Sequence, residues 1–342
     1  MNTDVLMISH ADEPKITLMN VQTMQAIRTF DLPGRIAVLG ASSDRRYGFA
    51  IHRDDDCVTV INATEGIVKA ICSTAKQPTH FHAHMGHSLI FNDGSGSVML
   101  FEDTKIPRHT VFDVTAPDHG SALLIEDWLL VGYLRRGCVE VYQYPAGEHA
   151  QTFEACIALH GAAQVSNHAL FGCGDGVLLL TLEGGAFQSV KVPNPADAPP
   201  RTRVGRFATH EGRGLALGNF GEGLVVINPD AQTMRVISLP AYPLTFGFDA
   251  AGETAIVLTH DGLIRRLTLA GDEIAAEPVA AETSIPRGPD HKARPTFSQH
   301  EDHLYITDPE AQALIQVPVT HFAGRHSFDL DFAPGNILTL KG

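Results

Sequence analysis

Residues 89–101, LIFNDGSGSVMLF, consist of two apolar segments joined by the turn Asn92-Asp93-Gly94. Asn, Asp and Gly tolerate the left-handed backbone that tight hairpin turns require. The flanking segments are rich in Val, Ile, Leu and Phe, which favours strands over a helix. The stretch therefore predicts an antiparallel β-hairpin.

The same order of strand, polar turn and strand recurs along the whole chain. Eight copies are found, at residues 5–18, 48–61, 89–101, 129–142, 170–180, 215–227, 255–267 and 304–317. Several of their turns carry the same residue types: Asp54-Asp55-Asp56, Gly174-Asp175-Gly176, Gly221-Glu222-Gly223, His260-Asp261-Gly262 and Asp308-Pro309-Glu310. Internal repetition of this kind predicts an architecture built from equivalent hairpin units.

Two more strands accompany most hairpins. Strands before the second and later hairpins are predicted to begin near Gly34, His80, His119, His160, Phe207, Thr245 and Thr296. Fourth strands are predicted at residues 67–71, 110–114, 152–155 and 234–239. Four strands repeated every 40–50 residues or so are typical of β-propeller blades.

The tail supplies the strand that the first hairpin lacks. Residues 332–338 resemble residues 31–37, which precede the second hairpin. Residues 333–340 are therefore predicted to join the N-terminal blade and close the ring, which removes exposed sheet edges. We expect an all-β chain, residues 1–342 forming one propeller domain of eight blades, with seven blades as the alternative.

Composition restricts the classes of partner. The chain has 25 basic and 39 acidic residues, a formal net charge of −14, which argues against nucleic acid. No segment approaches the roughly twenty apolar residues of a membrane helix, so a membrane-embedded protein is not expected. The start, Met1-Asn2-Thr3-Asp4, lacks the pattern of a signal peptide, leaving a cytoplasmic protein or a removed leader as alternatives. Five cysteines are too few for a disulfide-built scaffold.

Three histidines share one repeat position. His80 and His160 each lie eleven residues before a Phe of the following hairpin, and His119 takes the same place if one turn residue is added. The first strand of each propeller blade lines the central channel, so the three imidazoles are expected to converge there. Three histidines with water or a carboxylate suit Zn²⁺, although imidazole also binds copper and nickel.

Neighbouring residues provide further candidate ligands. His80, His82 and His84 alternate along one predicted strand and should share a face. Asp118, next to His119, and Asp93, in its hairpin turn, are possible carboxylate ligands or groups that orient an imidazole. No nucleophile elbow, phosphate loop or dinucleotide fingerprint is present in a suitable setting.

Two stretches resemble the AztD family of bacterial zinc metallochaperones. Residues 156–161, CIALHG, followed by Gly172-Cys173 and a Gly-Val-Leu strand, are similar to that family's Cys-x-x-Leu-His-Gly segment and Gly-Cys pair. Residues 77–84, QPTHFHAH, are similar to its Pro-x-His-Phe-x-x-His segment. The resemblance extends more weakly over nearly the whole chain.

The resemblance implies a periplasmic, non-enzymatic protein that binds zinc and passes it to the zinc-binding protein of an ABC importer. It implies zinc ligation by His80, His119 and His160, with His84 as an additional match, and a disulfide between Cys156 and Cys173. The chain departs from the family in having Asp118-His119-Gly120 where His-His-Gly is usual, and in lacking a His/Asp-rich segment near its start.

Two other functions remain open on sequence grounds. A metal-dependent hydrolase or lactonase of the propeller type could use a metal at the same channel mouth. A metal-free interaction scaffold is the third possibility, although the chain has one Trp and lacks the recurrent Trp-Asp ending of the best-known scaffold repeats.

Overall fold

The computed structural model describes residues 3–200, 202–280, 293–322 and 324–342. These residues form eight four-stranded antiparallel sheets arranged as the blades of one ring. The predicted β-propeller and its count of eight blades are thus confirmed, and the seven-bladed alternative is wrong.

The first four blades contain the strands of residues 5–153, together with the last strand of the chain. In chain order these strands are β1 (Val5–His10), β2 (Lys15–Asn20), β3 (Ala26–Asp31), β4 (Val38–Ala41), β5 (Tyr47–His52), β6 (Cys57–Asn62), β7 (Ile67–Ser73), β8 (Pro78–His84), β9 (His87–Asn92), β10 (Ser97–Glu102), β11 (His109–Asp113), β12 (Gly120–Ile125), β13 (Trp128–Tyr133), β14 (Cys138–Gln143) and β15 (Glu148–Phe153).

The remaining blades follow with the same order of strands. These strands are β16 (Ala162–Val165), β17 (His168–Cys173), β18 (Gly176–Glu183), β19 (Ala186–Pro193), β20 (Phe207–His210), β21 (Leu215–Phe220), β22 (Gly223–Asn228), β23 (Thr233–Ile237), β24 (Pro243–Phe248), β25 (Thr254–Thr259), β26 (Leu263–Thr268), β27 (Glu273–Pro278), β28 (Phe297–His300), β29 (His303–Asp308), β30 (Ala313–Pro318), β31 (His326–Asp329) and β32 (Pro334–Leu340).

Helix is nearly absent from the described ranges. Two single-turn 3₁₀ helices occur, at Asp103–Lys105 and Glu211–Arg213. No helix in these ranges has the length and apolar character needed to cross a membrane.

The ring closes as the tail sequence predicts. Strand β32 pairs antiparallel with β1, with Val5 opposite Leu340 and Met7 opposite Leu338, so the first blade has the order β3-β2-β1-β32. Pairing β1 with the tail gives the N-terminal hairpin the inner strand that every other blade obtains from the preceding chain. The closure satisfies backbone groups that an open edge would leave unpaired.

Several predicted strands differ from the observed ones by a few residues at their ends, and the fourth strand of blade 4 shows why. The fourth strand of blade 4 was expected at residues 152–155, but β15 covers Glu148–Phe153. Gly147 has a φ of +75° and its N–H donates to the Gln143 carbonyl, so the chain reverses immediately after β14. Strand β15 consequently begins four residues earlier than its apolar residues suggest.

The hydrophobic core is divided among the blade interfaces. Among the described residues, eight clusters of buried apolar side chains occur, one between each pair of neighbouring blades, including the pair formed by the last blade and the first. The cluster between blades 4 and 5, for example, joins Leu130 of β13 to Phe171 of β17. Stability therefore comes mainly from the faces between blades.

The innermost strands position the candidate site. Strands β4, β8, β12, β16 and β20 contact their neighbours in turn around the channel, as do β28 and β32. Because every blade repeats the same strand order, the starts of these strands lie at one mouth of the channel. Residues just before or at those starts in different blades therefore face a shared space.

Candidate metal centre at the channel mouth

The structure brings His80, His119 and His160 together. His80 lies near the start of β8, His119 directly precedes β12, and His160 stands two residues before β16. One nitrogen from each ring belongs to a set of atoms that all lie within 4.8 Å of one another. Three consecutive blades thus each contribute one imidazole to the same point.

The ring geometry is close to that of a tetrahedral zinc site. The Nε2 atoms of His80 and His119 are 3.0 Å apart, and ring centroids are separated by 4.7 Å for that pair, 5.1 Å for His119–His160 and 5.4 Å for His80–His160. Zinc–nitrogen bonds of about 2.0–2.1 Å place tetrahedral ligand nitrogens about 3.4 Å apart. Small side-chain rotations would therefore suffice for coordination.

Hydrogen bonds at Nδ1 fix the tautomers of two rings. His119 Nδ1 donates to the Asp93 carboxylate at 2.8 Å, and His160 Nδ1 donates to the Gly205 carbonyl at 3.0 Å. Because these partners only accept, both rings carry their proton on Nδ1 and their lone pair on Nε2 in the neutral form. Each Nε2 is thereby prepared as a metal ligand, in the manner of histidines at established metal sites.

Local backbone geometry holds His160 in place. Gly161 has a φ of +75°, and a Cβ there would lie 2.5 Å from the Gly205 carbonyl oxygen that His160 binds. Only glycine allows this close approach without displacement. The disulfide implied by the resemblance is present between Cys156 and Cys173, and His160 N–H donates to the Gly172 carbonyl beside it.

Burial favours the neutral form of two of the three rings, His80 and His160. Burial lowers the pKa of His80 to about 4, and the adjacent His119 and His160 add to the shift because charged imidazoles would repel one another. Burial also lowers the pKa of His160, against the opposing effect of its bond to Gly205. Burial alone would raise the pKa of Asp93, but its hydrogen bond to His119 and the charge of Arg53 lower it overall. Neutral imidazole is the form that binds metal.

Asp118 occupies a different position from the three rings. Its carboxylate accepts hydrogen bonds from the backbone N–H groups of His119, Arg135 and Arg136 and from Arg135 Nε, at 2.7–3.1 Å. It thus ties the start of β12 to the turn after β13. The set of mutually close ligand atoms found among the described residues does not include it.

His82 and His84 continue along β8, away from the mouth. Their ring centroids are 6.4 Å apart, and neither belongs to the set formed by the other three histidines. Burial lowers the pKa of His82 to about 4, with repulsion from His84 adding to it. His82 Nε2 is buried with no hydrogen-bond partner in the described chain.

Two supporting contacts were not predicted from the sequence. Arg53 Nη1 donates to Asp93 Oδ2 at 2.9 Å, which links the second blade to the residue that orients His119. The Gly205 carbonyl comes from the segment before β20, in blade 6. Neither residue has a local motif that marks it, since both contacts depend on how neighbouring blades meet.

The arrangement can bind one divalent cation. Three neutral nitrogen donors leave a fourth coordination position, and the described ranges place no fourth His, Cys, Asp or Glu within the set. An open position accommodates water, a substrate or a ligand from another protein.

Comparison with known proteins shows similarity to a zinc chaperone. The chain is 22% identical to the zinc chaperone AztD of Citrobacter koseri, over 98% of this chain and 86% of that protein. The crystal structure of C. koseri AztD superposes with a TM-score of 0.89 and 22% identity, covering 100% of this chain and 99% of the other. The resemblance inferred from the sequence motifs is thereby confirmed, and no family model matches the chain.

More distant structures share the fold alone. The dihydro-heme d1 dehydrogenase NirN superposes with a TM-score of 0.69 at 12% identity, over 100% of this chain and 75% of that one. The range of activities among propellers means that function must be argued from the site.

Proposed function

We propose that this protein is a zinc metallochaperone that binds one Zn²⁺ through His80, His119 and His160. The observation that carries the proposal is the convergence of one nitrogen from each of three imidazole rings, two of which have their tautomers set by Asp93 and Gly205. Orienting bonds on ligand imidazoles are a general property of metal sites and are not needed by histidines that merely fill a channel. The similarity to a protein named a zinc chaperone selects zinc among the metals that imidazole binds.

A carrier is favoured over the two alternatives by the ligand set. A metal-free scaffold gives no reason for three desolvated imidazoles at one point. A hydrolase would need a general acid or base beside the metal, and Asp93, the carboxylate bonded to one of the rings, is engaged by His119 and Arg53. The three-histidine set leaves one position open, so an incoming ligand from a receiving protein could bind before the carrier's histidines leave.

We further propose that zinc passes to the zinc-binding protein of an ABC importer in the periplasm. The disulfide between Cys156 and Cys173 supports an oxidising compartment, because such bonds persist there and are rare in reducing ones. We also propose that His82 and His84 form a further zinc-binding position along the channel. Asp118 is proposed to hold His119 in place.

Zinc titration tests the site. Competition against a fluorescent zinc chelator should give one tight site in the parent protein, weakened by about a hundredfold or more in H119A or H160A, since loss of one of three ligands leaves two. The exposed His149, changed to Ala, serves as the matched control and should bind as the parent does. Unchanged affinity in H119A and H160A would refute this siting.

Transfer is tested separately. Zinc-loaded protein mixed with the metal-free zinc-binding protein of the importer should lose zinc faster than it does to an excess of small chelator. Equal rates would indicate release into solution and contradict the chaperone role. Turnover of lactone or phosphoester substrates by the zinc-loaded protein would favour the hydrolase instead.

A further inference from the structure

A cavity lies at the same channel mouth as the three histidines, beside blades 1, 2 and 8. It has a volume of about 450 Å³. The polar and charged side chains that line it include Arg35, Arg53, Arg294, Asp54, His10 and Asn336. The volume falls within the range of about 300–1,000 Å³ that small-molecule sites occupy.

The charges around this cavity are predominantly positive. Three arginines and one aspartate line it, in a chain whose acidic residues outnumber its basic residues by 39 to 25. Within the described residues, neither Arg35 nor Arg294 forms a salt bridge with any carboxylate. Arg53 uses Nη1 for Asp93 and for the Gln77 carbonyl, and none of the described residues accepts from its Nε or Nη2.

Two further arginines extend the positive region around the mouth. Arg203 and Arg206 precede β20 in blade 6, and both bind backbone carbonyls, those of Ala158 and Leu244. No carboxylate of the described chain pairs with either. Burial lowers the pKa of both guanidinium groups, and Arg294 adds repulsion at Arg206. Surface arginines that served only solubility would be expected to be dispersed or paired.

From this arrangement we propose that the cavity binds a small oxyanion carrying two or more carboxylate or phosphate charges. Guanidinium groups recognise such anions through paired N–H donors, which a monovalent ion such as chloride cannot satisfy. Three arginines and one aspartate leave a net charge of +2, which favours a ligand with at least two negative charges. The cavity exceeds the volume of inorganic phosphate, so a di- or tricarboxylate fills it better.

Arg53 connects this anion site to the histidines. Arg53 lines the cavity, its guanidinium group binds Asp93, and Asp93 in turn orients His119. An anion that draws Arg53 toward the cavity would weaken its hold on Asp93. Arg35 and Arg294 have no such connection, so they allow the anion site to be altered while the zinc ligands and their supports remain intact.

Calorimetry of the metal-free protein at low ionic strength tests the proposal, with citrate and inorganic phosphate as the two probes. Saturable one-site binding of at least one probe is expected, and the stronger probe identifies the ligand as carboxylate or phosphate. R35Q/R294Q should weaken that binding at least tenfold. R35K/R294K, which retains the charges without the planar donors, should fall between this variant and the parent.

The matched control removes two charges at the opposite ends of the strands. R46Q/R108Q should bind the anion as the parent does, because Arg46 and Arg108 lie in connections at the opposite ends of the strands and do not line the cavity. Absence of saturable binding in the parent, equal binding by R35Q/R294Q, or an equal loss in R46Q/R108Q would each overturn the proposal. Zinc affinity of R35Q/R294Q should match the parent, so that failure of the anion site is distinguishable from failure of the zinc site.

Discussion

Replacing Asp93 tests how much the orientation of His119 contributes to zinc binding, because all three proposed zinc ligands stay in place. D93N retains an acceptor for His119 Nδ1 but removes the charge that strengthens the bond. Loss of such a partner typically lowers metal affinity by about 10–100-fold, and we expect D93N to bind zinc that much more weakly. Chelator competition measures the effect. Asp175 takes the equivalent turn in blade 5 and pairs with Lys191, so D175N is the control; equal affinities in the two variants would contradict the role of Asp93.

Gly161 offers a second test at the residue scale. An added methyl group would displace the Gly205 carbonyl from His160 Nδ1, so G161A should lose about tenfold or more in zinc affinity, along with about 1–3 kcal/mol of stability from its positive φ. Gly184 has a φ of +58° with nothing within 4 Å of an added Cβ. G184A should therefore show the backbone cost alone, with parental zinc binding. Parental binding by G161A would show that the carbonyl does not position the ring.

The three histidines could be predicted from the sequence, but among the groups that support them only Asp93 was a candidate, as one possible orienting carboxylate. Repeat register identifies His80, His119 and His160, because equivalent positions of successive blades must converge. Asp118 was the more obvious carboxylate beside His119, yet it binds backbone N–H groups of the next turn. Asp93 reaches His119 across a blade boundary, and that contact depends on the angle between blades, which no local pattern encodes.

At the scale of elements, most of the strands that could be predicted from the sequence were recognised by the turn residues between them. All eight hairpins were identified because Asn, Asp and Gly mark the reversals and apolar residues flank them. The exposed fourth strands were harder, as the shift of β15 to Glu148–Phe153 illustrates. Outer strands carry fewer apolar residues, so hydrophobic patterning constrains their bounds less.

Blade 4 contains a buried carboxylate with a predictable acid response. Burial alone would raise the pKa of Glu140, but hydrogen bonds from Arg136, Thr115 and Tyr142 bring it to about 2, below the ordinary 4.5. A depressed folded-state pKa stabilises the protein above pH 4.5, and that contribution is lost as the pH falls toward 2.

The test is urea unfolding of metal-free protein between pH 2 and pH 7. E140Q should be less stable than the parent at pH 7 by an amount of the order of a few kcal/mol, with the difference shrinking as the pH falls through that interval. E148Q, on the exposed edge strand of the same blade, should follow the parental curve. A stability difference between E140Q and the parent that does not change with pH would contradict the assignment.

At the scale of the whole molecule, closure turns a row of blades into a ring. An open array of eight blades would have seven interfaces, whereas β32 adds an eighth between the last blade and the first. Units in linear arrays contact only their neighbours and can unfold from the ends. A closed ring has no end, so we expect a destabilising substitution in the closing strand to lower the stability of blades on the opposite side of the ring as well.

Leu340 and Trp128 make that expectation measurable. Leu340 is fully buried between blades 1 and 2, and L340A should cost about 2–5 kcal/mol through lost contacts and the cavity left behind. Trp128, the one Trp of the chain, lies in blade 4 against Phe187 of blade 5. If the ring unfolds as a unit, the unfolding transitions followed by Trp fluorescence and by far-UV circular dichroism should both shift to lower urea concentration in L340A.

The control is the exposed Ile274, whose replacement by Ala should leave both transitions at the parental urea concentration. A dichroism shift with an unmoved fluorescence transition would mean that the blades unfold separately and that closure protects only its own neighbours.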